Sequence, residues 1–173
     1  MISIRKATLN DTELLTNLGK TTFLEAHGKS APENDIMEYV NNKFTNAVFA
    51  EELNDKNNIF HIIQYNETAV GYSKIIYNAA HSNIPIKNST KLERLYVLEA
   101  YHSLKLGYQL FKHNLDEAIK NQQAGMWLFV WTENQKAINF YKKLGFEVVG
   151  EHSFQISKTH YNPNYHMFLT IKN

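Results

Sequence analysis

The chain has 173 residues, 43% of them hydrophobic and 20% charged, with a formal net charge of +1 and no cysteine. This composition fits one globular domain over residues 1–173 and excludes disulfide scaffolding, thiolate catalysis and cysteine-ligated zinc. A charge near zero gives no general attraction to nucleic acid or anionic lipid, no apolar run reaches the ~20 residues of a membrane span, and Met1–Lys6 lacks a signal-peptide core, so the expectation is a cytoplasmic protein without nucleic-acid or membrane partners.

Ile2 and Ile4 alternate with Ser3 and Arg5, which predicts a short first strand, and Asn10 or Asp11 then caps a helix carrying Leu14, Leu15 and Leu18. The Gly28–Asn34 segment breaks helical structure before a second helical region with Ile36, Tyr39 and Val40, continued after an irregular join by Phe44, Val48, Phe49 and Leu53. Along Glu25–Asp55, Glu25, Glu33, Asp35, Glu38, Glu51, Glu52 and Asp55 face only Lys29 and Lys43, so this stretch is locally acidic. Residues 59–65 and 69–77 are β-branched and aromatic around Asn66-Glu67, a β-hairpin pattern, and the polar segment 79–90 with Pro85 reads as a loop. A strand at Leu92–Val97, an amphipathic helix at Gly107–Asn121 and a nearly all-apolar strand at Met126–Trp131 form a parallel crossover. Another amphipathic helix at Gln135–Leu144, with Gly145 suited to its C-cap, precedes closing strands at 146–150 and 165–171. The class is α/β with a mixed sheet.

Chemistry concentrates in two segments. Leu92–Leu110 passes from strand through a turn into a helix start, where unpartnered N–H groups and the helix dipole favour an anion and Gly107 admits close backbone approach. Such segments recur in α/β proteins, so alone it is a weak phosphate signal. Thr132–Phe146 is more specific: an apolar strand followed by Asn134, Ala137, Phe140, Tyr141, Lys143, Gly145 and Phe146.

In that spacing the chain resembles the GNAT superfamily of N-acetyltransferases, and the RLYV strand with the turn ending in Gly107 is similar to that family's acetyl-CoA motif. More narrowly, TTFLEAHG, APEND and GEHSF resemble the bacterial spermidine/spermine N-acetyltransferase group. The resemblance implies a GNAT fold: a mixed, mostly antiparallel sheet whose central parallel strands splay apart, flanked by helices, with acetyl-CoA as co-substrate. It implies cofactor contacts by Leu95, Tyr96, Val97, His102, Lys105, Gly107, Tyr108, Asn134 and Lys143. The amides of Leu95 and Val97 match the family's donors to the thioester carbonyl. The turn departs from the family pattern, with Lys105 where a glycine is usual. A left-handed backbone there costs a lysine about 1–2 kcal/mol, which a phosphate contact by its ammonium would offset.

By the same resemblance Tyr141 is the acid that protonates the leaving thiolate; taken alone, it reads better as a core tyrosine among ten, and the motif around it reverses that reading. Glu93, on the strand lining the acetyl site, is the candidate base for the amine, or simply a partner for a neighbouring cation. Asn134 bonds the cofactor or merely caps its helix. Glu25, Glu33 and Glu38 are the candidate carboxylates for a polyamine acceptor, with a peptide, amino-acid or aminoglycoside amine, or a non-catalytic acyl-CoA-binding module, as alternatives. Family membership is compatible with a homodimer. Eight histidines lack ligand spacing, so no metal is expected, and Trp127 and Trp131 read as packing or pocket lining.

Overall fold

A computed structural model describes residues 1–172. The strands are β1 (Ile2–Lys6), β2 (Asn58–Tyr65), β3 (Thr68–Ile76), β4 (Ser89–Val97), β5 (Gly125–Trp131), β6 (Glu147–Gln155) and β7 (Tyr161–Thr170), and the helices are α1 (Thr12–His27), α2 (Glu33–Lys43), α3 (Asn46–Asn54), α4 (Leu106–Lys120) and α5 (Gln135–Lys143). One seven-stranded sheet runs β1-β2-β3-β4-β5-β7-β6. Only β4 and β5 pair in parallel, as the strand–helix–strand order required.

Local chemistry accounts for most boundaries. Thr45 caps α3 by accepting from the Val48 amide, so the irregular join is a break between two helices. Gly145 ends α5 with φ +99°, a conformation other residues resist. Asp11 serves two ends at once. It closes a capping box with Thr8 and binds Arg5 through both carboxylate oxygens at 2.9 and 2.7 Å, tying β1 to the start of α1.

Three boundaries differ from expectation. β4 starts at Ser89 rather than Leu92, because polar Ser89 and Thr90 are fully buried against β5. β6 continues to Gln155 and β7 begins at Tyr161, because the two form a long hairpin whose pairing, not apolar alternation, sustains the strands.

Alternation along β2 sorts the core. Phe60 and Ile62 pack with Leu15, Phe49 and Tyr72 under α1–α3, while Ile63 meets Val70, Leu106 and Leu110 beneath α4. Further along, Phe111, Met126, Leu128, Ile138, Phe146 and Met167 join α4, α5, β5 and β7. The helices thus cover opposite faces, α1–α3 on one and α4 and α5 on the other. Among the described residues no helix is long and apolar enough to cross a membrane.

Candidate active site

β4 and β5 pair only through Ser89, Thr90 and Lys91 opposite Gly125, Met126 and Trp127. Beyond that point the strands part, and a cleft of about 1000 Å³ opens between their C-terminal halves. One wall is the exposed edge of β4. The Leu98 amide donates to Val70 of β3 at 2.8 Å, so by the alternation of an extended strand Tyr96 and Arg94 also turn their amides to β3 while Leu95 and Val97 turn theirs to the cleft.

A 3-10 turn at Glu99–Leu104 links β4 to α4, and Lys105 joins them with φ 56° and ψ 24°, the left-handed conformation anticipated at this position. The first amides of α4, at Leu106, Gly107 and Tyr108, have no acceptor one turn back. A Cβ added to Gly107 would meet nothing within 4 Å, so the glycine is not demanded by packing and leaves open room against the helix start. Glu25 holds the turn from the other side, its carboxylate accepting the Glu99 amide at 2.9 Å. His102 bridges the cleft mouth: Nε2 lies 2.8 Å from the Val97 carbonyl and Nδ1 accepts from Lys136 Nζ at 2.9 Å. With Lys136 donating to Nδ1, it is Nε2 that faces the carbonyl as donor.

The opposite wall is α5. Asn134 caps it, Oδ1 accepting the Ala137 amide at 3.2 Å, which leaves the side-chain NH₂ for the cleft. Tyr141 stands against Phe140 and Phe146 at 5.3 and 5.5 Å between ring centres and keeps part of its surface on the cleft. Burial holds its hydroxyl well above the usual phenol range, so it stays protonated at neutral pH.

On the α1–α2 side the floor is ionic. Between Lys74↔Arg94 and Ile75↔Leu92 a β-bulge leaves Glu93 over, which lets two consecutive β4 side chains enter one network. Lys74 Nζ reaches Glu93 at 2.9 Å and Glu52 at 3.4 Å, Arg94 takes both oxygens of Glu52 at 3.0 Å, and Lys91 approaches Glu93 at 3.6 Å. Burial pushes the Glu93 carboxyl up, but Lys74, Lys91 and Arg94 outweigh it, and the group is held below its ordinary range. His27 adds a neutral edge: Nε2 lies 3.3 Å from Tyr96 Oη, the ring packs 5.9 Å from Trp131, and burial lowers its pKa to about 4.

The cleft therefore brings together Glu93, Leu95, Tyr96, Val97, His102, Lys105, Gly107, Tyr108, Asn134, Tyr141, Lys143 and Glu25. Glu33 and Glu38 lie outside its lining. They open and follow the first turn of α2, whose buried residues are Ile36 and Val40, so the acidic face of that helix points elsewhere. Sequence reading missed His27, Glu52, Lys74, Lys91 and Lys136 as cleft or floor groups. Nothing local marks them, since each reaches the site through tertiary pairing. Among the described residues no three histidine or carboxylate side chains gather as metal ligands.

A model of the acetyltransferase (GNAT) family matches residues 21–146. The chain is 24% identical over 137 residues to an uncharacterized N-acetyltransferase in the pepI 3′ region of Lactobacillus delbrueckii subsp. lactis, covering 79% of each chain. It is 27% identical over 154 residues to an uncharacterized N-acetyltransferase of Mycobacterium bovis, covering 89% of this chain and 94% of the other. In fold it matches PaiA N-acetyltransferase of Thermoplasma acidophilum, crystallised with coenzyme A, at TM-score 0.78, 20% identity and 99% coverage of both chains. It likewise matches the ribosomal-protein-S18-alanine N-acetyltransferase of Escherichia coli at TM-score 0.73, 18% identity, and 100% and 96% coverage.

Proposed function

The chain belongs to the acetyltransferase (GNAT) family, and from that membership we propose that it moves an acetyl group from acetyl-coenzyme A to a primary amine. The donor is read as lying in the gap between β4 and β5 and the acceptor as entering from the α1–α2 side. The observation that carries this reading is the parting of two parallel strands after three residue pairs, beside a helix start with open space at Gly107. That space and the free amides of α4 suit a pyrophosphate, and Lys105, Lys136 and Lys143 line the cleft.

Bound acetyl-coenzyme A supplies an activated thioester. The amides of Leu95 and Val97 donate to the carbonyl oxygen where negative charge develops, and the cleft edge of β4 holds the pantetheine arm as an added strand. Tyr141, kept protonated by burial, gives the departing sulfur its proton. Glu93 takes the proton of the attacking nitrogen. Its ion pairs make it a weak base toward a free ammonium, so it works as the new C–N bond raises the acidity of that nitrogen, directly or through water.

Spermidine or spermine is one reading of the acceptor, and its support is the carboxylates on the cleft wall, Glu52 and Glu93, with Glu25 beside them holding the Glu99 amide. An amino-acid or peptide amine is the second reading, favoured by the cations that surround two of those three carboxylates.

The test is thiol release from acetyl-coenzyme A with spermidine, spermine, a lysine peptide and an aminoglycoside, alongside calorimetric coenzyme A binding. Tyr141→Phe should lower turnover by ~10²–10⁴-fold while coenzyme A binding stays within about twofold. Absence of coenzyme A binding to the wild-type protein removes the proposal.

A further inference from the structure

Resting on the acetyl-transfer reading, we infer that the acceptor is an amine that also carries a carboxylate, and that Lys91 selects it. The floor of the cleft holds three cations, Lys74, Lys91 and Arg94, against two carboxylates, Glu52 and Glu93, and none of these side chains is more than 26% exposed. Arg94 occupies both oxygens of Glu52, and Lys74 takes the closest approach to Glu93 while also touching Glu52. Lys91 is left with one contact, at 3.6 Å, to a carboxylate already paired. The floor thus carries one unmatched positive charge, and Lys91 is where it resides.

Its position is fixed by apolar neighbours. The ammonium lies 5.2 Å from the centre of the Trp127 ring and 5.4 Å from that of Phe129, which itself lines the cleft. The other groups around these rings, His81, His152 and His166, bring no negative charge. A polycation entering here sets a second ammonium against Lys91. A zwitterionic amine instead matches the adjacent pair, its nitrogen toward Glu93 and its carboxylate toward Lys91. After one ammonium proton is lost to solvent, the neutral nitrogen bonds to the acetyl carbon as the carbon–sulfur bond breaks, its second proton passes to Glu93, and the thiolate takes one from Tyr141. The products are an N-acetylated carboxylate and a free thiol.

The experiment compares kcat/KM for free amino acids, the matching carboxamides and spermidine, in wild type and Lys91→Gln. The carboxylates should exceed their carboxamides by about tenfold or more in wild type, and in Lys91→Gln that ratio should fall toward one. Because each ratio is taken within one protein preparation, a loss of stability in the variant does not imitate the effect. Carboxamides or spermidine serving as well as carboxylates overturns the inference and leaves acetyl transfer standing. Should no acceptor release thiol, calorimetry on the coenzyme A complex decides. Lys91-dependent preference for N-acetylated amino acids over their amides upholds the carboxylate site while the acetyl-transfer reading falls, and no preference overturns the inference.

Discussion

Lys105 offers a separation of backbone cost from ligand gain. It holds φ 56° and ψ 24° between the 3-10 turn and α4, a conformation that costs a residue with a Cβ about 1–2 kcal/mol. Its side chain is exposed and makes no salt bridge among the described residues, so nothing in the fold repays that cost. Lys105→Gly removes it but returns about 0.5–1 kcal/mol to the unfolded chain as entropy, for a net gain of about 0.5–1 kcal/mol. In a chain of 173 residues this is a rise of about 1–4 °C in Tm. Lys105→Ala keeps the strain and should leave Tm near wild type. Both variants lose the ammonium, and coenzyme A affinity should fall about fivefold in each, the equivalent of ~1 kcal/mol for a screened phosphate contact, with a shallower salt dependence. The assays are thermal unfolding without ligand and calorimetry at two ionic strengths. If Lys105→Gly does not exceed Lys105→Ala in Tm, the left-handed strain is absent, and if neither variant weakens binding, the ammonium does not reach a phosphate.

Gly107→Ala should raise Tm slightly, because a Cβ there meets nothing and alanine favours helix by about 0.5–1 kcal/mol, yet weaken coenzyme A at least about tenfold by filling the space beside the α4 amides; calorimetry with undiminished affinity would place the pyrophosphate elsewhere. Lys74→Met leaves Glu52 and Glu93 with one buried cation fewer and should cost about 2–4 kcal/mol in denaturant unfolding, with the Glu93 pKa moving up, and loss of stability without any such upward move would separate packing from charge. The Asp11 carboxyl is held below its usual range first by its hydrogen bonds to Arg5, against a smaller opposing effect of burial. A lowered folded-state pKa means stability that is present above the unfolded-state value and lost as pH falls through the folded one. Asp11→Asn should therefore lower Tm by about 2–4 °C at pH 7 through the lost pair, with wild type and variant converging as pH falls through the lowered folded-state pKa. A difference that persists in acid would show that shape, not charge, links β1 to α1.

The geometry of the β4–α4 turn and the α5 start was legible because it is local. Gly107, Asn134 and Tyr141 owe their positions to a strand, a turn and two helix starts, and the turn chemistry, caps and period of those elements are written in consecutive residues. Lys105 stands where the resembled family usually has a glycine, and the structure gives it the left-handed backbone that is costly for a lysine there. The charged floor of the cleft was not legible. Glu52 comes from α3, while Lys74 of β3 and Arg94 of β4 are cross-strand partners, so the three meet only once α3 packs on that face, and the β3–β4 slip lets Glu93 join them. The net charge of the 25–55 stretch suggested an acidic wall, but Glu33 and Glu38 lie outside the cleft and Glu25 is spent on the Glu99 amide. His27 and Tyr96, 69 residues apart, touch only once α1 is laid across the sheet. Sequence by itself determined the elements and the turn that opens α4, since those depend on neighbours along the chain. Tertiary structure alone decided the charge of the cleft floor, because the field at a point follows from which charges are brought within a few ångströms of it and desolvated there.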